Sequence, residues 1–413
     1  MIDMDPENRA ASLSFRQLKL FESVGRLSSV RRASEECNLS QPAVTQALAK
    51  LEQQIGATLL ERRASGSYLN ELGEIFHRRT TRLFEQFEQA LIALGVPGAP
   101  GAAPVIAKRI SRSQARSLIA IVESGSFAQA ALSLDLSQAS LQRAARDLEG
   151  NLKKSIYYRT AQGVMVTPAG VEFGRKIKLA TQEIEWGIHE IEAARGSANS
   201  QIAIGAMPFG GSVLLASVLD EFIKANPKVD VKIINESASE MLKRLRDGEV
   251  DFVIGLVQET IAEGLTNEAL AKTPYAVVAR RGHKLLKQGS VTLQDLLRYD
   301  WVVGTQGASR RACFERLFEG GPGPQASIAT CSLPVIRHLL ARSDRLTLMT
   351  SYELTHENGA LMPLPFGPIE PTPAIGVTMR SEWLPTKLHV EFIDLLRRHM
   401  ADAAVPAPLK KAG

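Results

Sequence analysis

The sequence predicts an α/β chain whose N-terminal part is almost wholly helical, and three observations carry that expectation. A capped helix start, Leu39–Glu52, recurs as Leu136–Glu149 at a constant offset of 97 positions. Each copy is followed by a stretch long and amphipathic enough to be one extended helix, 71–94 and 168–196. From Gln201 onward, short apolar runs alternate with helical periods, the pattern of a sheet flanked by helices.

In the first copy Ser40 is a good N-cap, since its hydroxyl can accept from free first-turn amides. Pro42 sits where a missing N–H has no partner to lose. Val44, Leu48, Leu51 and Ile55 recur at helical spacing and form one apolar stripe. The opposite face offers Gln41, Thr45, Gln46, Ala49 and Lys50, short amides and hydroxyls that can approach a base edge or phosphate closely. The second copy caps with Ser137 and turns Gln138, Ser140, Gln142, Arg143 and Arg146 outward. The match holds without a gap well beyond the helix. Ser14 and Gln17 correspond to Ser111 and Gln114, both a Ser-x-x-Gln capping box, and Ala33 to Ala130, Arg62 to Arg159, Gly66 to Gly163 and Gly73 to Gly170. The chain carries one small domain twice.

Taken in order, residues 1–13 read as a frayed tail, 14–27 as a first helix, 29–37 as a second and 40–55 as a third. Three short helices with a tight turn between the last two make a helix-turn-helix. Leu59–Leu69 reads as two short strands about Gly66, a wing, with Arg62 and Arg63 at its root and able to reach phosphates flanking a groove. The first winged helix-turn-helix thus spans 11–70, and the helix at 71–94 needs a partner for its apolar face. A Pro/Gly linker, 95–107, leads to the second winged helix-turn-helix at 108–167 and the second long helix at 168–196, which Thr167 caps and Pro168 opens. Between 200 and 400 a parallel α/β domain is expected, with strands near 202–206, 229–234, 252–255, 275–280, 301–303 and 374–379 and a last helix at 386–400. The tail from Ala401 reads as disordered.

Composition sets the outer bounds. At 45% hydrophobic and 23% charged residues the chain can bury sizeable cores, and it has no apolar run approaching the roughly 18 residues of a membrane span. The acidic start Met1–Glu7 does not read as a signal peptide. Cys37, Cys313 and Cys331 are widely spaced, which fits a reducing cytoplasm and argues against a disulfide frame or zinc site. Residues 1–200 hold 25 Lys+Arg against 21 Asp+Glu, net +4 of the chain's +5, so the excess sits with the repeats.

The first repeat resembles the winged helix-turn-helix of LysR-type transcriptional regulators through Gln17-Leu18-Lys19-Leu20-Phe21, Ser40–Thr45, Leu51-Glu52, Gly56 and Leu59–Arg62. The second resembles the same domain through Gly125-Ser126-Phe127, Ala130-Ala131, Leu136–Gln138, Leu148-Glu149 and Thr167–Gly170. Residues 200–400 are similar to the family's effector domain, best over Arg246–Gly255 and Arg280–Leu285, and within the family to the galactose-binding-protein-regulator subgroup, which includes regulators of aromatic-acid catabolism. The resemblance implies a sequence-specific, double-stranded-DNA-binding regulator. Its two-lobed, periplasmic-binding-protein-like effector domain would have lobe I at about 200–274 and 374–400 and lobe II at about 275–373. It further implies long helices that pair subunits into dimers or tetramers, contact with RNA polymerase, and a small-molecule effector, an organic acid, aromatic acid or sugar, held between the lobes. The family normally has one winged domain. Here copy one keeps Pro42 where copy two has Ala139, while copy two keeps Gly125–Gln129 and Thr167–Gly170 where copy one has Ser28–Arg32 and Asn70–Gly73. Both copies are expected to contact DNA: Ser40, Gln41, Pro42, Thr45, Gln46, Lys50, Arg62 and Arg63 from the first, and Ser137, Gln138, Ser140, Gln142, Arg143, Arg146 and Arg159 from the second.

For the effector, Met207, Pro208, Phe209, Gly210 and Ser212 lead into a helix N-terminus, and Thr305, Gln306 and Ser309 do so in the second lobe. Free amides and the helix dipole there suit a carboxylate or a polyhydroxy ligand. Ser332 is a third candidate, and Arg310 or Arg311 could pair with an acidic effector. The seven histidines show no metal-ligand spacing, and the chain has no nucleophile elbow, Walker loop or zincin motif, so neither cofactor nor catalysis is expected. Two other classes stay open: a constitutive architectural DNA-binding protein whose α/β half only oligomerises, and an enzyme or transport-type binding protein.

Overall fold

The computed structural model describes residues 6–63, 66–98, 101–161, 163–196, 201–207, 212–257, 261–355, 357 and 359–403. It divides into two compact units, 1–200 and 201–413.

In the first unit a short helix α1 (Pro6–Ser12) precedes α2 (Phe15–Leu27), α3 (Val30–Glu36) and α4 (Gln41–Ile55). Ser14 and Gln17 form the expected capping box on α2, and Ser29 and Ser40 cap α3 and α4. Val44, Leu48, Leu51 and Ile55 are buried, as their spacing requires. The hairpin β1 (Leu60–Arg63) and β2 (Gly66–Leu69) follows, then α5 (Glu71–Leu94), capped by Asn70. The second copy gives α6 (Ala103–Ala107), α7 (Arg112–Ser124), α8 (Phe127–Ser133), α9 (Gln138–Leu152), the hairpin β3 (Tyr157–Thr160) and β4 (Gly163–Val166), and α10 (Pro168–Ala194). Gly73 is obligatory, because a Cβ there would meet the Leu59 carbonyl oxygen at 2.0 Å.

Two expectations need correction here. Residues 6–13 are not frayed: Ala10 and Leu13 are fully buried, and Arg9 donates to the Ile55 carbonyl (3.0 Å) and pairs with Glu192. Nor is 95–107 a bare linker, since Val96, Ala103 and Ala107 are buried and α6 packs on α5.

The partner for the apolar face of α5 is α10. Phe76, Leu83, Phe87 and Leu91 share one continuous core with Phe173, Ile177, Ile184 and Ile188. At its centre the fully buried Arg79 donates from Nη1 to Glu183 Oε2 (2.8 Å) and from Nε to Glu190 Oε2 (2.8 Å), while Arg82 Nε donates to the other Glu183 oxygen (3.0 Å). Gly187 permits the close approach, because a Cβ there would lie 3.0 Å from the Phe76 ring and 3.2 Å from Arg79 Cβ. The long helices, expected to pair subunits, therefore pair with each other inside one chain.

The second unit runs β5 (Gln201–Ala206), α11 (Ser212–Ala225), β6 (Asp230–Asn235), α12 (Ala238–Arg246), β7 (Phe252–Leu256), β8 (Leu265–Lys272), β9 (Tyr275–Arg280), α13 (Leu293–Leu296), β10 (Val302–Val303), α14 (Ser309–Leu317), β11 (Ile328–Ala329), α15 (Leu333–Ala341), β12 (Thr347–Thr350), α16 (Ser351–Thr355), β13 (Leu361–Pro363), β14 (Ala374–Arg380) and α17 (Lys387–Ala403). One sheet has the order β6-β5-β7-β14-β8. The expected parallel sheet is parallel only among β5, β6 and β7. Strand β14 runs antiparallel to β7 and β8, because the chain leaves this lobe at the end of β8 and re-enters it at that same end, Ala374 facing Lys272. The second lobe holds the antiparallel sheet β12-β9-β13 and the short parallel pair β10-β11. The two crossing segments lie side by side, with the Thr273 amide donating to the Pro373 carbonyl at 2.8 Å. The tail expected to be disordered from Ala401 stays helical to Ala403, and 404–413 lie outside the described residues.

Replacing Arg79 by methionine strips Glu183 and Glu190 of their shared buried cation. Arg79→Met should destabilise the first unit by about 3–5 kcal/mol in equilibrium urea unfolding, with partial recovery when Glu190→Gln is added. An unmoved midpoint would show that the pair is held by its apolar face alone.

Candidate nucleic-acid interface and ligand cleft

Helix α4 exposes Gln41, Pro42, Gln46 and Lys50 to solvent, with Ser40 exposed at its cap and Thr45 half-buried beside them. The Ser40 hydroxyl accepts from the Ala43 amide at 3.4 Å, so the cap faces outward with the first turn. On α9, Gln138, Ser140, Gln142, Arg143 and Arg146 are all exposed. Ser137 Oγ accepts from the Ser140 amide (3.2 Å) and lies 2.9 Å from the Ser140 hydroxyl. Each helix thus sets one row of short polar side chains against a buried stripe, Val44 to Ile55 in α4 and Leu141, Ala145, Leu148 and Leu152 in α9. That division leaves the polar row free to enter a groove while the stripe anchors the helix.

The wings differ from expectation in one respect. Arg63 pairs with Gly66 in the ladder, so it stands toward the tip of the hairpin and not at its root. It is exposed, bonded to Glu61 (3.0 Å) and stacked over Tyr68 (5.4 Å). The side chain of Arg62 lies outside the described residues. Arg159 is exposed on β3, one rung from the tip.

A structural role at both wings is absent from the sequence reading. Glu52 Oε1 accepts from the Leu59 and Leu60 amides (2.7 and 3.1 Å), and Glu149 Oε1 accepts from the Ile156 and Tyr157 amides (2.8 and 3.1 Å). One carboxylate per copy therefore ties the end of α4 or α9 to the first wing strand. The signal was present as the repeated Leu-Glu pair, 51–52 and 148–149.

In the second unit a cavity of about 260 Å³ opens where strands of both lobes end. Met207 follows β5, Asn235 ends β6, Leu256 ends β7 and Thr350 ends β12, the strand ends at which open α/β sheets gather ligands. Of the residues expected to hold an effector, Met207, Thr305, Gln306 and Ser309 line this cavity. Ser332 does not, and its neighbour Cys331 does, with Sγ 3.4 Å from the Thr305 hydroxyl. Pro208, Phe209 and Gly210 and the side chain of Ser212 lie outside the described residues.

The polar centre of the cavity is a group that sequence reasoning left undecided. Arg310 is buried and donates from Nη2 to Glu353 Oε1 at 2.5 Å, while Arg311 binds Glu315. Glu353 Oε2 also accepts from the Thr350 amide (2.7 Å) and hydroxyl (3.1 Å), so its oxygens are satisfied. The buried Arg310 Nη1 has no acceptor among the described residues. Ala308, the N-cap of α14, has no side-chain oxygen to occupy the first amides of that helix. Tyr275 donates to Ser309 Oγ (3.3 Å), and burial pushes its phenol up against the opposing pull of the Ser309 hydrogen bond and Arg310. An unmatched guanidinium nitrogen, a helix start without a side-chain cap and neutral hydroxyls give the cavity a lining whose chemistry suits a small anion.

Comparison with known proteins places both halves. The family model described as bacterial regulatory helix-turn-helix protein, lysR family, matches residues 15–74 and again 113–171, and the LysR substrate binding domain matches 195–401. The chain is similar to the HTH-type transcriptional regulator GalR of Pseudomonas putida, 30% identical over 98% of this chain and 100% of that one, so the alignment runs through both repeats. It is 25% identical to the HTH-type transcriptional regulator GbpR of Rhizobium radiobacter over 57% of this chain and 79% of that one. Among solved structures, a full-length OxyR variant from Pseudomonas aeruginosa aligns over 70% of this chain and 93% of its own with a TM-score of 0.49 and 19% identity.

The Glu52 and Glu149 ties are directly testable. Glu52→Ala and Glu149→Ala each leave two wing amides unbonded and should cost about 2–3 kcal/mol in thermal unfolding. Melting curves that coincide with the parent would show that the wings hold without these carboxylates.

Proposed function

The chain belongs to the LysR family of transcriptional regulators, and from that premise we propose that both of its heads contact DNA while an organic acid in the second unit governs that contact. It is a DNA-binding transcriptional regulator with an effector-binding domain, not an enzyme. We assign the heads to 11–70 and 108–167, the long helices to 71–94 and 168–196, and the effector domain to 200–400. Its setting is the cytoplasm, where copies assemble into dimers or tetramers and meet RNA polymerase. The observation that carries the DNA reading is the exposure of Gln41, Gln46, Gln138, Gln142 and Arg143 on capped helices whose other faces are buried. Amides on α4 suit bidentate reading of adenine edges, and Arg143 and Arg146 on α9 suit phosphate or guanine. Arg63 and Arg159 flank them on the wings as phosphate contacts.

The effector reading rests on the buried Arg310 nitrogen that no acceptor among the described residues meets. A carboxylate there would also face the first amides of α14, with Thr305, Ser309, Ser237 and Tyr275 placed for its remaining polar groups. Closure of the lobes about the crossings at 273–274 and 370–373 then shifts the population between two states of the regulator with different affinities for DNA.

Two measurements check this. In DNA selected from a random pool, Gln41→Ala should lose about tenfold in discrimination at the bases it reads, and Arg143→Ala should reduce the salt slope of binding by about one. Equal footprints and slopes in parent and variants would remove these helices from the interface. In a thermal-shift screen of small carboxylic acids, the stabilising ligand should alter DNA affinity, and Arg310→Met should abolish both effects. A ligand that moves melting but never DNA binding would break the proposed coupling.

A further inference from the structure

We infer that the two heads of one chain form an internal pseudo-twofold dimer, so that a single chain supplies a complete pair of DNA-reading heads and its operator is two unlike half-sites. The inference rests on the proposed DNA contact of both heads and adds the arrangement, the stoichiometry and the form of the site.

In a twofold interface, residue i of one subunit meets j of the other and j meets i, and only residues beside the axis meet their own equivalents. The repeats, 97 positions apart, obey both conditions. Helix α6 begins 97 positions after α1, and the two exchange: α1 packs on α10, the long helix of the other head, and α6 packs on α5. At the far ends, Arg195 beyond α10 donates to the Gly56 carbonyl just after α4 (2.7 Å), while Lys154 just after α9 donates to the Leu94 carbonyl at the end of α5 (2.5 Å). Two self-equivalent pairs mark the axis. Gln86 Nε2 donates to Glu183 Oε1 at 3.0 Å, and the Arg112 guanidinium lies over the Phe15 ring at 5.8 Å. Each pair is separated by 97 positions in sequence. Along the interface, contacts from Arg79 to Gln86 meet Glu190 and then Glu183, so the helices run antiparallel.

The charges make this pairing heterotypic. Under the repeat, Arg79, Arg82 and Gln86 of α5 correspond to Lys176, Leu179 and Glu183 of α10, and Glu190 corresponds to Ala93. Were α5 to pair with α5 of a second copy in the same geometry, Arg79 would face Ala93 in place of Glu190, and Arg82 would face Gln86 in place of Glu183. Were α10 to pair with α10, Glu183 would face Glu183. Each homotypic pair strands buried charge that only α5 with α10 neutralises. The reading helices are freed from identity as well: Thr45, Gln46 and Ala49 of α4 stand where α9 has Gln142, Arg143 and Arg146. A pair of unlike reading faces held in a twofold arrangement calls for an inverted pair of half-sites with different bases.

The test uses the full chain. Selection from random DNA should yield two conserved blocks that are not inverted copies, Gln41→Ala relaxing one block about tenfold and Arg143→Ala relaxing the other. A palindromic site, or one block relaxed by both substitutions, would overturn the inference while leaving DNA binding intact; failure to enrich any sequence would instead remove the reading beneath it. The pairing itself is read without substitution. Unlabelled and nitrogen-15-labelled chains are unfolded together, refolded and treated with a carbodiimide that joins Lys108 of the second repeat to Glu36 of the first, an ion pair at 4.0 Å. Joined peptides should be wholly light or wholly heavy. Mixed peptides in statistical proportion, or no Lys108–Glu36 peptide at all, would overturn it.

Discussion

Arg79 has no route to water, and the architecture of the first unit follows from that constraint. A guanidinium taken wholly out of solvent must be matched in charge and in hydrogen bonds. Here two carboxylates from the other long helix supply both, and one of them also holds Arg82. Apolar burial brings α5 and α10 together, but burial is not directional and would accept several registers. The ion cluster accepts one, in which Arg79 lies between Glu183 and Glu190. Fixing that register fixes where each long helix begins, and hence where each winged domain is mounted.

The ligand-binding unit uses buried charge in another way. Glu353 is satisfied by the Thr350 amide, the Thr350 hydroxyl and one nitrogen of Arg310, while the other terminal nitrogen is left over. In the first unit the charges of the α5–α10 cluster, Arg79, Arg82, Glu183 and Glu190, are matched within the protein. In the second, one nitrogen of a guanidinium that lines the cavity is desolvated and has no acceptor among the described residues. Under the proposed function, an anion that reached this nitrogen would not have to displace the Glu353 contact.

Local grammar made most of the elements legible. Ser14, Ser40, Ser111, Ser137 and Thr167 mark helix starts through a mechanism that acts within four residues, and the structure uses each as a cap. What escaped was what depends on distant partners. A seven-residue helix such as α1 is not stable by propensity, so nothing local announces it; contact with α10 and α4 orders it. The apolar period of α5 shows that a partner is needed without saying whether it is another chain or the next repeat. The reversal of β14 arises from a return across the lobes more than a hundred residues after β7, which no run of side chains encodes. The exposed polar rows of α4 and α9 were readable because they are what remains when caps and stripe are removed. The cleft was read only in part, since Arg310 looks like Arg311 until the fold buries one of them.

The divergence of the two copies takes on a different meaning once their pairing is internal. In a symmetric dimer every substitution appears on both sides of the axis, so a buried arginine at position 79 would demand its own carboxylate on an identical helix. A covalent repeat removes that demand: α5 can keep the cations and α10 the carboxylates. Under the proposed DNA contact of both heads, the same release applies to α4 and α9, which need not read the same bases. Loss of Pro42 in one copy and of the Thr-Pro-Ala-Gly cap in the other does not mark either copy as decayed, because Ala139 leaves the Ser137 cap working and Asn70 caps α5 in place of threonine. Both copies retain the carboxylate that ties helix to wing, at Glu52 and Glu149, the feature a head needs to hold its reading helix in place whatever sequence it reads.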